Sequence, residues 1–312
     1  MAWTGETMRR SIHTFLKHYQ YFTLVSSFIA FPFSISLLIS QALIQHHSFP
    51  FFPMIYARVR AIFHAAGFPA SSDFFALVGL KLSQTISSSA VTIPFTLSLL
   101  LLAKASVIRH LDHTKQRRSS LISLYNPLLV TQIFGFFLVI SANATSFSIL
   151  FLGFTSLEGL SISSPNRVLF LSSLGAVFYS ILLANTIVIC NLASTIAAIE
   201  KGEGVGFTSI FKACVLIKGR VSMALALVVQ VNLGLAAVEA LFQFRIVRSY
   251  YVGDRTLSSL SIEGTLIAYM YSVMVVIDSI VGYVFYRSCK DSNEDEFYAS
   301  DVEKQRAIEN FL

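Results

Sequence analysis

The chain alternates between long apolar runs and shorter polar connections. A helix needs about 20 mostly apolar residues to cross about 30 Å of hydrocarbon. Six runs reach that length, so the pattern predicts an all-α, polytopic membrane protein with six transmembrane helices. The predicted spans cover residues 21–43, 82–103, 127–154, 168–192, 221–242 and 265–286.

Two of these runs contain an internal proline, Pro32 in the first and Pro94 in the second. Proline removes one helical hydrogen bond, but neighbouring membrane helices can satisfy the freed carbonyl, so we expect kinks rather than breaks. The second run is the least regular because residues 83–89 are rich in serine. The first run exceeds the apolar core of about 7–15 residues typical of a signal peptide, so we expect it to stay as an anchor.

Two of the polar connections have helical amphipathic spacing. Residues 8–20 place basic side chains around one face and four apolar side chains on the other, namely Ile12, Phe15, Leu16 and Tyr19. Residues 209–218 repeat the pattern, with Lys212 and Lys218 on the polar side. Such helices are typical of segments lying in the plane of the lipid headgroups, so in-plane amphipathic helices are predicted beside the six spans.

The distribution of Lys and Arg predicts the orientation. Sixteen of the 23 basic residues lie on the side of the two termini and seven on the opposite side. Since cytosolic loops carry the excess of positive charge, both termini are predicted to be cytosolic. Residues 1–20 then form a cytosolic amphipathic helix, residues 21–289 the membrane domain and residues 290–312 an acidic cytosolic tail. An endomembrane location, the endoplasmic reticulum, is favoured over the plasma membrane.

The composition is also that of a membrane protein, and it excludes several classes of function. Hydrophobic residues make up 54% of the 312, charged residues 13%, and the mean hydropathy is +0.67. A soluble domain carries about 25% charged residues. A soluble enzyme, a disordered regulator and a nucleic-acid-binding domain are therefore excluded, although the net charge is +6.

The positive charge predicts anionic lipid headgroups on the cytosolic side as partners. The predicted headgroup contacts are Arg9, Arg10, Lys17, Arg117, Arg118, Lys212 and Lys218. The acidic tail is expected to be simply solvated, with a protein partner as the alternative.

No motif of catalysis or metal binding stands out. The segment His110-Leu111-Asp112-His113 comes nearest to a metal cluster, but the surrounding arginines and lysines would oppose a dication. The glycines of residues 202–206 lack the G-x-x-x-x-G-K-[ST] pattern of a phosphate loop. No G-x-S-x-G nucleophile elbow is present. We therefore predict no catalytic residue, no cofactor and no metal, and a non-enzymatic protein.

Polar residues inside the predicted spans are the strongest indication of a functional site in this sequence. An ionisable group at bilayer depth costs about 2.5–3.5 kcal/mol on insertion scales, so it tends to have a role. Asp278 lies roughly 12 Å from the cytosolic end of the sixth span at 1.5 Å per residue. Glu239 falls near the outer interface, where we expect Arg245 or Arg248 beside it. Asp278, Asn185, Gln132 and Glu239 form the candidate intramembrane polar site, and hydrogen bonding between helices is favoured over a cation or proton path.

The order of these segments and three short stretches resemble a known family. The stretches are residues 184–186 (ANT), 197–204 (AAIEKGEG) and 207–212 (FTSIFK). They are similar to a six-helix membrane family related to the membrane domain of glycerophosphodiester phosphodiesterases. The chain resembles the plant-type members that consist of the membrane domain alone, so the resemblance does not imply hydrolase activity.

Two functions remain open at this point. The first is an endomembrane protein that organises or handles lipid through its basic cytosolic face. The alternative is a small-solute or ion transporter that uses the polar residues around Asp278. A transporter should have a water-accessible cavity reaching Asp278, whereas a scaffold should have a dry bundle.

Overall fold

A computed structural model describes most of the chain, and every regular element in the described part is a helix. The described residues are 2–45, 51–65, 73–112, 121–159, 165–200, 205–252 and 257–309.

Short π-helical turns join several of these helices into longer rods. Within the described part there are three such turns, at Ser26–Ala30, Thr96–Leu100 and Gln243–Val247. The helices are α1 (Ala2–Lys17), α2 (Tyr19–Val25), α3 (Phe31–Gln45), α4 (Phe52–Ala65), α5 (Asp73–Phe95), α6 (Leu101–Leu111), α7 (Leu121–Gly159), α8 (Pro165–Ile199), α9 (Phe207–Ile217), α10 (Val221–Phe242), α11 (Arg248–Val252) and α12 (Leu257–Glu309).

Six helical segments of the described chain are long and apolar enough to cross a membrane. This confirms the prediction of an all-α fold with six helices long and apolar enough to be spans. Their bounds are Tyr19–Leu43, Ala76–Leu111, Leu121–Gly153, Ser173–Ile199, Val221–Tyr250 and Ser258–Ser292.

The two prolines expected to kink the first and second spans each lie beside a π-helical turn. The turn Ser26–Ala30 precedes Pro32, and the turn Thr96–Leu100 follows Pro94. Each of these turns absorbs an extra residue locally, and proline-containing and π-helical segments are common sites of helix bending. The chain remains helical through both prolines, so neither of them ends a span.

The sixth span is the centre of the bundle. Side chains of α12 take part in the packing of three buried apolar clusters, for example Ile280, Val281 and Val275. In its most apolar 18-residue stretch 50% is buried, whereas only 17% of the corresponding stretch is buried in the third and in the fourth span. Those two spans, α7 and α8, pack along one another as a peripheral pair. Their exposed large apolar side chains, such as Phe137 and Phe170, present a surface suited to lipid acyl chains.

The shorter helices pack against the ends of the spans. Helix α1 contacts α12 and α10, α4 lies on α5, and α9 lies on α8. The turn before α9 requires a glycine, because Gly206 has φ of +73° and its N–H donates to Thr131 Oγ1 at 3.1 Å. A Cβ at this position would lie 2.8 Å from a ring carbon of Phe134. The turn is therefore both left-handed and tightly packed on α7.

Candidate functional site: a basic groove and an intramembrane polar cluster

Helices α1 and α12 enclose a groove of about 690 Å³ at the end of the bundle that carries the amino terminus. Helix α1 docks through a row of buried small polar side chains, Thr4, Thr7 and Ser11, followed by Phe15. This docking leaves the basic side chains of α1 beside the groove. The acidic and basic residues that line it are Glu6, Arg9, Arg10, His13, Lys17, His18, Arg287 and Asp291.

The groove has an excess of positive charge. Four Arg or Lys side chains line it against two carboxylates. Arg10 Nη2 is neutralised in part by Glu6 Oε1 at 2.7 Å, in a solvent-exposed pair. Arg9 and Lys17 form no ion pair within the described residues. Their charges are available to an anion that enters the groove.

An exposed apolar strip borders these basic residues. Ile12, Leu16 and Tyr19 are 45%, 63% and 56% exposed. Phe15 lies apart from them, because its ring is buried and stacks on Phe22 at 5.8 Å. The apolar face predicted from the sequence is thus divided, with Phe15 anchoring α1 to the bundle and the other three side chains facing outward.

Two histidines lie beside the groove in an aromatic cluster. The His110 ring stacks on Tyr21 at 4.0 Å and meets His18 edge-on at 4.8 Å. The Tyr21 hydroxyl donates to the Ser106 carbonyl at 3.1 Å, which joins α2 to α6. His110 therefore contributes to packing between helices. Its sequence neighbour His113 lies outside the described residues.

A second polar group lies inside the bundle around Asp278. Asp278 shares a small cavity with Lys104 and Asn191, and Lys104 Nζ donates to Asn191 Oδ1 at 3.4 Å. The cavity measures about 40 Å³ and is otherwise lined mainly by apolar side chains.

Sequence reasoning missed the role of Lys104. A second span that ends at Ala103 places Lys104 in a cytosolic connection, but the helix continues to Leu111 and carries Lys104 into the bundle. The signal that could have shown this is the apolar spacing beyond Ala103, since Val107, Ile108 and Leu111 are all buried.

The other predicted intramembrane residues do not join this cluster. Glu239 Oε1 accepts a hydrogen bond from the Tyr271 hydroxyl at 3.0 Å. The arginines expected beside it contact other groups: Arg245 lies 3.8 Å from Glu263, and Arg248 lies over the Phe244 ring. Asn185 and Gln132 are half-buried and do not line the Asp278 cavity.

The other residues predicted to contact headgroups lie outside α1, and one of them, Lys212, is already paired within the protein. Lys212 Nζ binds Glu200 Oε2 at 2.6 Å, and the Tyr286 hydroxyl donates to Glu200 Oε1 at 3.0 Å. Burial alone would raise the pKa of Glu200, but the hydrogen bonds from Lys212 and Tyr286 outweigh it and lower the pKa of this carboxyl. Lys212 is thus engaged within the protein, whereas Lys218 is exposed. Arg117 and Arg118 lie outside the described residues.

The fold and these sites define a class: an all-α, multi-pass integral membrane protein with a basic groove at one end of its bundle. Residues 4–305 match the family described as Domain of unknown function (DUF8558). The chain therefore belongs to this family. No curated protein and no solved structure matches the chain.

Proposed function

We propose that this protein is a non-enzymatic, lipid-interacting membrane scaffold or lipid-handling protein that binds anionic headgroups on the cytosolic side. The observation that carries the proposal is the basic groove between α1 and α12. It combines the unpaired cations of α1 with an exposed apolar strip that runs along α1 and into the first residue of α2. We place this face in the cytosol on the ratio of basic residues, 16 to seven.

The groove and the strip fit two parts of one lipid. Ile12, Leu16 and Tyr19 would enter the boundary between headgroups and acyl chains while Arg9 and Lys17 reach the phosphate layer. Each basic residue near an anionic surface contributes about 1 kcal/mol. An in-plane position of α1 satisfies both requirements at once.

The size of the Asp278 cavity supports a scaffold over a transporter of organic solutes. A volume of about 40 Å³ holds about three water molecules and no larger solute. The Lys104–Asn191 hydrogen bond and the nearby carboxyl group supply polar contacts between spans. These are the contacts expected of helix-to-helix association inside a membrane.

The resemblance to the membrane domain of glycerophosphodiester phosphodiesterases agrees with a lipid-related role and an endomembrane location. Both stay proposals, as does a protein partner for the acidic tail. In this proposal α9 is a second helix of the cytosolic surface, where exposed Phe207, Phe211 and Val215 face lipid.

The test uses the full-length protein in detergent, titrated with anionic and with neutral phospholipid. We expect anionic lipid to raise the Tm more than neutral lipid, and added salt to reduce the difference because it screens exposed charges. The double variant Arg9→Gln/Lys17→Gln should lose most of the anionic preference.

The matched control removes two exposed charges from α4, at Arg58 and Arg60. Arg58→Gln/Arg60→Gln has the same net charge as the groove variant and should keep the preference. Equal stabilisation by neutral and anionic lipid, or equal losses in both variants, would show that the groove is not the headgroup site.

A further inference from the structure

A polar crevice opens between α3 and α5, at the end of the bundle opposite α1. Its volume is about 320 Å³, at the lower end of the roughly 300–1,000 Å³ typical of small-molecule sites. It is separate from the basic groove, because the two share no lining residue. Its lining is Leu37, Gln41, Lys81, Gln84, Thr85, Ser88, Ser89 and Thr92.

The lining follows one face of α5. Polar side chains recur at helical spacing from Lys81 to Thr92, and Gln41 of α3 faces them. At 1.5 Å per residue this face is about 16 Å long, or about half the thickness of the hydrocarbon core. The whole face lies within the span Ala76–Leu111. Two serines of the serine-rich part of the second run, Ser88 and Ser89, therefore line the crevice, whereas Ser83 and Ser87 are buried.

Several of these polar groups are unsatisfied within the protein. Ser88 Oγ and Ser40 Oγ share a hydrogen bond at 3.1 Å, and Thr92 donates to the Ser88 carbonyl at 2.9 Å. In contrast, the side chains of Gln41, Gln84 and Ser89 have no hydrogen-bond partner among the described residues. Bare hydrocarbon offers polar groups no partner, so this face requires a polar occupant.

The charge at the mouth indicates what the occupant is. Lys81 is exposed and forms no ion pair in the described part of the chain. It lies at one end of the crevice, and the other described residues of the lining are uncharged. A symmetric contact with a second copy through this face would bring two Lys81 ammonium groups together without a counter-ion.

We infer that the crevice is a second lipid site, which holds the headgroup of a phospholipid from the leaflet opposite α1. Lys81 binds the phosphodiester. The amides of Gln41 and Gln84 and the hydroxyl of Ser89 bind the ester and glycerol oxygens. The acyl chains leave the crevice sideways along exposed apolar residues of α5, such as Ile86.

The experiment uses full-length protein in nanodiscs containing a phosphatidylcholine with a photoactivatable group near its headgroup. Cross-linked peptides are quantified by mass spectrometry. We expect cross-links in residues 73–95 of the wild type. Gln84→Leu/Ser89→Leu should reduce them about fivefold to tenfold, since each lost hydrogen bond weakens binding several-fold.

Ser98→Leu is the matched control, because Ser98 is an exposed serine of the same span outside the crevice. Its cross-linking should equal that of the wild type, and all variants should keep the wild-type Tm. Arg9→Gln/Lys17→Gln should also leave these cross-links intact. The proposal for the crevice and the proposal for the basic groove are therefore tested independently.

Three results would overturn the inference. The first is equal cross-linking in Gln84→Leu/Ser89→Leu and in the wild type. The second is loss of the cross-links on addition of inorganic phosphate, which would identify the occupant as a free anion. The third is efficient disulfide dimer formation by Ser89→Cys in a background without the native cysteines, which would identify it as a second copy of the chain.

Discussion

Lys104 and Asp278 show how the bundle holds two ionisable groups within its spans. They come from different helices and line one cavity, without a salt bridge between them among the described residues. Asn191 links Lys104 to α8. Removing one member of such a group leaves the other without its partner, which costs more than the intact arrangement contributes.

We therefore expect Lys104→Met and Asp278→Asn to be coupled. Each single change should lower the free energy of unfolding, Lys104→Met by about 1–3 kcal/mol because it leaves the buried polar groups of the cavity without their donor. The double variant should lose less than the sum of the two, with a coupling energy of about 1 kcal/mol. The measurement is the unfolding stability of all four proteins in one detergent.

Strictly additive losses would show that the two groups act independently. A different outcome would favour transport: Asp278→Asn with wild-type stability but without the cellular phenotype of the wild type. The neutral amide keeps hydrogen bonds but cannot carry a proton or balance a bound cation, so function and stability would then separate.

At the scale of elements, the carboxylate of Glu200 links α9 to two other helices of the bundle. Glu200 follows α8 directly and accepts from Lys212 of α9 and from Tyr286 of α12. Arg220, which follows α9, donates to the Cys289 carbonyl of α12 at 3.1 Å. The position of α9 therefore depends on the charge of Glu200 as well as on the apolar contacts of Ile210 and Ile217.

The lowered pKa of Glu200 predicts an acid-sensitive contribution to stability. A carboxyl whose pKa is lower in the folded state stabilises the fold above its ordinary pKa, and the stabilisation disappears as the pH falls through the folded value. We expect a loss of up to about 1 kcal/mol, since the pair is partly exposed. Glu200→Gln should flatten the dependence of Tm on pH in the acidic range.

Glu6→Gln provides the comparison, because it removes the same charge from the exposed Arg10–Glu6 pair. It should retain the wild-type slope of Tm against pH. An unchanged slope in Glu200→Gln would mean that other carboxyl groups control the acid response.

At the scale of the whole molecule, the arrangement places the two proposed lipid sites at opposite ends of the bundle. The basic groove lies where the first span begins and the polar crevice where that span ends. A six-span chain with cytosolic termini then exposes the groove to the cytosolic leaflet and the crevice to the opposite leaflet.

Cysteine labelling tests this orientation. With the native cysteines replaced, a cysteine at Thr114 and a tag after Leu312 should react with an impermeant reagent from the cytosolic side. A cysteine at Ser163, in the connection between the third and fourth spans, should react only after the membrane is permeabilised. Reaction of the Ser163 variant from the cytosolic side would contradict the six-span arrangement.

Much of this architecture follows from local sequence. The length and apolarity of the runs predict the all-α fold and the six spans, because each span must satisfy its own backbone in hydrocarbon. The basic character of residues 8–20 likewise predicts a headgroup-binding segment. Both properties depend on side chains that are close in sequence, so no tertiary contact is needed to recognise them.

The partners of the polar residues depend on the packing of helices distant in sequence. Lys104 lies near Asp278, 174 positions later in the chain, only because α6 packs on α12. Glu239 binds Tyr271 rather than the nearby arginines because α10 lies beside α12. Likewise, Gln41 and the serine-rich face of α5 form a crevice only once α3 and α5 are paired. Hydropathy fixes which segments enter the membrane, but the rotation and depth of each helix against its neighbours decide which polar groups meet.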